Sequence, residues 1–269
     1  MFDPAHLGKM GYRPDPPGDD RSFSDGLRPL LKVEAHGDVD LRKFTTTSNQ
    51  YSAGSCVGNA TADSVEILNA IAGQPEVQLS RMFVYTLARN LMDEDGDGRT
   101  DIDKDDGTYI RLAFDVLSRF GICREDIGVE RGGWPYDLNK IHVLPSLKAM
   151  RAATGHRIHS YYRISESGTE RLDRILDALR GNHPVVFGTK VDRAFLSLSS
   201  EEAVSPPKGD TVGGHAMIIV GYSSAQGFIV KNSWGSSWGS NGFCYLEPEY
   251  LVWSGTTDLW VPTLGVMFR

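Results

Sequence analysis

The sequence predicts an α+β fold, helical in its first half and rich in strands in its second. Three observations carry this. Apolar residues recur at helical spacing from Cys56 onward, capped helical segments follow, and after residue 156 the chain breaks into short β-rich runs between Gly, Pro and Ser clusters.

Residues 1 to 36 are rich in Pro, Gly and Asp and lack periodicity, which predicts an extended segment outside the core. From Cys56, the residues Val57, Ala60, Ser64, Val65, Leu68 and Ile71 mark one buried helix, closed by Gly73 and Pro75. Further helices are expected at about 81 to 91 after Ser80, 108 to 120 before Gly121, 146 to 154 before Gly155, and 169 to 180 before Gly181. The runs RIHSYYRI, PVVFGTKV, HAMIIVGYS, GFIVKNSW and GFCYLEP then predict five strands. The division is a segment at 1–36, a mainly helical lobe at 37–155 with an acidic insertion at 93–106, and a mainly β lobe at 156–269.

A chain of 269 residues with 40% hydrophobic and 23% charged residues can bury a sizeable core. No stretch approaches the ~18 continuous apolar residues of a membrane span, and residues 1 to 20 lack a basic region followed by an apolar one. A cytoplasmic location is the default expectation, and secretion the expectation for a chain whose leader had been removed. Of the formal net charge of −7, residues 93 to 106 carry −6, from eight acids and two bases. The remainder is nearly neutral, which argues against nucleic-acid binding or docking on an anionic membrane. A monomer is the default. Cys56, Cys123 and Cys244 are too few for a disulfide framework or a four-thiolate zinc site, and at least one thiol is free.

A thiol becomes a useful nucleophile as thiolate, and a helix N-terminus or a neighbouring imidazolium lowers its pKa. Cys56 stands at a helix start, after the small, polar stretch NQYSAGS, where a substrate carbonyl has room to approach. His215 heads an apolar β-run after two glycines, and Asn232 ends the next run, seventeen residues later. On two antiparallel neighbours these residues meet, and the amide oxygen can hold one ring nitrogen and aim the other at Cys56.

GSC at 54–56, GHAMIIVGY at 214–222 and KNSWGSSWGSNG at 231–242 resemble the papain family of cysteine peptidases. GSCVGNA, DGTYIRLAFDVLSRFGICRE, WPYD and GYRPDPPGDDRSF resemble its bacterial, xylellain-type branch. The resemblance runs from about residue 37 to the C-terminus. It implies two lobes, a helical one and a β-barrel-like one, with the substrate cleft between them. It also implies Cys56 as nucleophile, His215 as its proton partner, Asn232 as the group orienting His215, and Gln50 as oxyanion donor. Gly54, Ser55, Gly214 and Trp234 are expected to border substrate, with Trp234 shielding the bond between His215 and Asn232.

The implied activity is hydrolysis of peptide or protein substrates without a catalytic cofactor, with residues 1–36 covering the cleft as in that branch. A catalytically silent peptide-binding member and an acyl transferase with the same triad are the alternatives. Ala53 stands where many members carry a disulfide cysteine, and Val57 where tryptophan is usual.

In DEDGDGRTDIDKDD, the alternating Asp93, Asp95 and Asp97 before Gly98 resemble the first half of a calcium loop. Arg99 would contribute its carbonyl and Asp101 a further ligand. Lys104 occupies the place of the closing glutamate, so Asp103, Asp105 or Asp106 would have to complete the shell of a structural Ca²⁺.

Overall fold

The structure, a computed structural model, describes residues 10–33, 37–93 and 96–264. In chain order the elements are β1 (Tyr12–Arg13), β2 (Val39–Asp40), α1 (Cys56–Ile71), α2 (Arg81–Asn90), β3 (Thr108–Tyr109), α3 (Ile110–Arg119) and α4 (Leu147–Ala153). There follow β4 (Ser160–Ile164), α5 (Gly168–Arg180), β5 (Val185–Val191), α6 (Arg193–Leu196), β6 (Ala203–Val204), β7 (Gly213–Ser223), β8 (Gly227–Lys231), β9 (Phe243–Leu246), α7 (Pro248–Val252) and β10 (Thr256–Thr263).

Helix α1 is buried on nearly every side, because it packs on α2 and α3 across one flank and on β7 across the other. Most of its residues are small or apolar, and the buried polar Asn59 and Asp63 are paired, Asn59 with the Ser55 carbonyl and Asp63 with Lys231. The main sheet runs β4-β10-β5-β7-β8-β9-β6, with β2 added to β7. Its pairs are antiparallel apart from β6 with β9, and β7, eleven residues long, lies at the centre. Helices on one side and an antiparallel sheet on the other give the expected α+β architecture.

Two findings depart from the sequence expectation. Strand β10 was not anticipated: Asp258 and Pro262 weaken its β signal, yet it pairs with both β4 and β5 and buries Trp260 completely. Its register on β5 shifts between Thr257 and Trp260, where Asp258 takes a left-handed backbone at φ 53°. Residues 10–33, expected outside the core, enter it. Tyr12 and Leu27 are buried and Phe23 is wholly so, while β1 pairs with β3 in parallel. The anchors are a few apolar side chains that a composition dominated by Pro, Gly and Asp conceals.

Candidate active site

Cys56 is the first residue of α1, so its thiol meets the unsatisfied N–H groups of a helix start. The backbone N–H groups of Ala216, Gly11, Val57 and Cys56 itself act on the thiol and pull its pKa down. Ala216 belongs to β7, directly after His215, so the nucleophile helix lies against the histidine strand. His215 Nε2 lies 2.7 Å from Asn232 Oδ1, at the end of β8. The antiparallel register of β7 on β8, with Ile218 opposite Lys231, brings the two together. The Trp234 ring stacks on the imidazole at 4.4 Å between centroids and 25° between planes, covering it on one face. His215 Nδ1 is buried and has no hydrogen-bond partner among the described residues.

Gln50 is tied to the same strand end. Its backbone N–H donates to the Ser233 carbonyl at 2.8 Å, and its side-chain oxygen accepts from Ser233 Oγ at 2.7 Å. Its amide nitrogen donates to the Ala53 carbonyl at 2.8 Å. The structure therefore brings the four expected catalytic residues to one place, although Gln50 and Asn232 are 182 positions apart in the chain.

Residues 10–13 lie across this place. An added Cβ on Gly11 would come 1.7 Å from the Gly54 carbonyl oxygen, and one on Gly214 would come 2.5 Å from the Tyr12 carbonyl. The Gly11 carbonyl accepts from the Thr108 N–H at 2.9 Å. Cys56 and His215 are fully buried. Burial pushes the thiol up to about 11 against the pull of the surrounding N–H groups. It also pushes His215 down to about 4, with the bond to Asn232 acting in the opposite direction. In this covered arrangement both groups are neutral across the physiological range.

Of the residues expected to border substrate, Gly54 lies against Gly11, Gly214 against Tyr12, and Trp234 over His215. Ser55 is engaged within the turn itself. Its hydroxyl is buried, 2.6 Å from Tyr136 Oη, and accepts from the Asn59 amide at 3.1 Å. Tyr136 also donates to the Gln50 carbonyl at 2.8 Å, so it braces both sides of the turn before Cys56. Asp105 was one of three residues, with Asp103 and Asp106, that could have closed a calcium shell. It points inward instead, accepting from the Gly54 N–H at 3.0 Å and from Tyr85 Oη at 2.6 Å.

The roles of Ser233, Tyr136 and Asp105 were not legible in sequence, because each depends on a partner far along the chain. The buried ion pair of Lys231 with Asp63 is of the same kind. It ties α1, two turns beyond Cys56, to the residue before Asn232.

Among the described residues the remaining acids of this stretch show no converging set. Asp93 Oδ2 accepts from the Gly98 N–H at 3.1 Å, Asp97 Oδ1 from the Arg99 N–H at 2.8 Å, and Asp101 pairs with Lys104 at 2.8 Å. Asp95 lies outside the described residues. Among the described residues no group of three or more His, Cys, Asp or Glu is placed to hold a metal. Nor is any described helix long and apolar enough to cross a membrane.

A helix-borne thiol facing a strand-borne His–Asn pair across an α+β cleft defines the class of thiol hydrolases. Residues 36–255 match the model described as papain family cysteine protease, and the chain belongs to that family. It is accordingly a cysteine-type peptidase acting on peptide or protein substrates, and members of this family need no cofactor for catalysis.

An uncharacterized peptidase C1-like protein of Acanthamoeba polyphaga mimivirus is 31% identical over 248 residues, covering 88% of this chain and 74% of the relative. A cysteine protease of Blomia tropicalis is 24% identical over 215 residues, covering 76% of this chain and 58% of the relative. The crystal structure of xylellain, a cysteine protease from Xylella fastidiosa, superposes with a TM-score of 0.76 at 27% identity, over 96% of this chain and 98% of that one. This likeness agrees with the bacterial branch expected from the sequence motifs.

Proposed function

We propose that the chain hydrolyses peptide bonds through Cys56, His215 and Asn232, with Gln50 as oxyanion donor, and that residues 10–33 hold it inactive. The observation that carries this reading is the His215–Asn232 contact at 2.7 Å, which occupies Nε2 and leaves Nδ1 buried without a partner. A ring nitrogen without a partner among the described residues, on the residue before Ala216, whose N–H acts on the Cys56 thiol, is suited to take the thiol proton.

His215 removes that proton, and the thiolate attacks the substrate carbonyl carbon. The oxyanion is received by the Cys56 backbone N–H and the Gln50 amide. His215, now cationic and held by Asn232, protonates the leaving amine. Water then attacks the thioester, with His215 as base, releasing the acid and restoring the thiol.

Substrate and residues 10–13 compete for the same space, so opening the cleft must precede turnover. Departure of the segment also returns the thiol and imidazole toward their ordinary pKa values, where the pair can ionise together.

The test is hydrolysis of a mixed fluorogenic peptide library under reducing conditions by the full chain, Gly11→Ala and Cys56→Ala. The added methyl of Gly11→Ala cannot coexist with the Gly54 carbonyl and should expel the segment. Turnover that rises in Gly11→Ala and vanishes in Cys56→Ala is expected. A folded Gly11→Ala chain with a freely alkylated thiol and no hydrolysis would move the weight to the silent or transferase alternatives. Added amine acceptors then separate those two.

A further inference from the structure

The WPYD run places Tyr136 against the turn that joins Gln50 to Cys56, and its hydroxyl touches both ends of that turn. The phenol donates to the Gln50 carbonyl at 2.8 Å and lies 2.6 Å from Ser55 Oγ. A phenol has a single hydrogen to give, so the Ser55 hydroxyl donates to Tyr136 Oη and accepts in turn from the Asn59 amide at 3.1 Å. Burial pushes the phenol up to about 12, which keeps its hydrogen on the Gln50 carbonyl at neutral pH.

The Tyr136 ring is itself fixed. The Arg81 guanidinium lies over it, 4.5 Å from its centre, and is held there by Glu125 Oε2 at 3.0 Å and Asn59 Oδ1 at 3.3 Å. The backbone just before it is pinned as well, the Trp134 N–H donating to the Arg124 carbonyl at 2.9 Å and the Trp134 carbonyl accepting from Ser80 Oγ at 2.5 Å. The turn that Tyr136 meets needs such support, because Tyr51 holds a left-handed backbone at φ 51° without being glycine. Gln50 and Ser55 are also the residues on which the two oxyanion donors are mounted. Gln50 carries the side-chain amide, and Ser55 begins the peptide that ends in the Cys56 N–H. A single hydroxyl therefore sets the separation of the two donors.

Building on the proposed peptidase activity, we propose that Tyr136 is a positioning residue for the oxyanion site, its hydroxyl holding the Gln50 amide and the Cys56 N–H at the spacing a tetrahedral oxyanion requires. It acts through the turn and not on the thiol. Its removal weakens stabilisation of the tetrahedral state and leaves substrate binding and thiol reactivity unaltered.

The test uses the full chain opened by Gly11→Ala and a fluorogenic peptide amide. Adding Tyr136→Phe, which keeps the ring and deletes the hydroxyl, should lower kcat about 10- to 100-fold with KM within about twofold. Ser55→Ala, which removes the other end of the brace, should lower kcat about threefold to tenfold. In a Gln50→Ala background the cost of Tyr136→Phe should shrink to about threefold or less, because the amide it holds is gone. Alkylation of Cys56 by iodoacetamide needs the thiolate and forms no oxyanion, so its rate should stay within about twofold in each variant. An unchanged kcat in Tyr136→Phe, an equal cost with and without Gln50, or alkylation slowed in step with kcat overturns the proposal.

A second measurement reads the brace without catalysis. In the otherwise unaltered chain the Ala53 N–H donates to the Gln50 carbonyl at 3.2 Å. Tyr136→Phe should quicken hydrogen exchange of the Ala53 and Cys56 amides about tenfold, the loss of one hydrogen bond, while the amides of α2 stay unchanged. Unchanged exchange at Ala53 and Cys56 overturns the proposal. If exchange responds while the opened chain cleaves no peptide, the brace stands and the peptidase reading fails.

Discussion

Residues 10–33 and 96–106 have similar compositions and opposite fates. Both are rich in Asp and Gly, and both are expected from sequence to lie outside the core. The first segment is woven into the cleft by Tyr12, Phe23 and Leu27, and Asp15 accepts from Trp260 Nε1 at 2.8 Å. The second stays open at Gly96 to Thr100 and turns inward at Asp101 and Asp105. Burial in such segments is decided by a few anchors and by the donors that await them. Mean composition does not decide it.

The comparison breaks most visibly at Phe23. Phe23→Ala should remove about 3 to 5 kcal/mol of docking, read as faster Cys56 alkylation and a lower urea midpoint. If alkylation does not change, the segment is held by its polar contacts alone. Next is Asp105, the inward end of the acidic stretch. Asp105→Ala leaves the Gly54 N–H and Tyr85 hydroxyl without this acceptor and should cost about 1 to 3 kcal/mol by urea unfolding. A smaller loss would make the two ends of the loop equivalent.

The pH dependence of segment opening comes third. His215 is pushed down from 6.5 to about 4 by burial, so lowering pH from 6.5 toward 4 protonates the open form and weakens closure. Asp15 is pushed up from 3.8 to about 7, first by burial and then by Asp258, so its contribution strengthens as pH falls from 7 toward 3.8. The two oppose each other between pH 4 and 6.5. Limited proteolysis of residues 10–33 should therefore vary little with pH in the unaltered chain. In Asp15→Asn, opening should rise by about tenfold per pH unit on acidification. An acid response in the unaltered chain equal to that of Asp15→Asn would remove Asp15 from the balance.

The smallest effect belongs to the open end. Asp97→Asn should change stability by less than about 0.5 kcal/mol, and millimolar Ca²⁺ should move the melting temperature by less than about 2 °C. A rise of several degrees on adding Ca²⁺, lost in Asp97→Asn, would restore the calcium loop the sequence suggests.

The buried helix from Cys56 to Ile71 was legible because its apolar period runs unbroken to Gly73. The strands of His215 and Asn232 were legible because apolar β-runs end in Gly and Ser clusters. Strand β10 was not: its pairing with two neighbours overrides weak local preference. The partners of Ser55, Tyr136 and Asn59, were not legible, because small and polar describes equally a residue facing substrate and one bracing the turn from behind.

The sequence by itself determined the helix that presents Cys56, the two strands that carry His215 and Asn232, and the chemistry those three groups can perform. These follow from local periodicity and residue type, which a linear chain records. Only the tertiary structure decided that Gly11 lies on the thiol, that Tyr12 reaches Asp258, and that Asp105 holds the turn before the nucleophile. Each joins residues distant in sequence, and whether a carboxylate is solvated, paired or aimed into a pocket depends on what the fold packs against it.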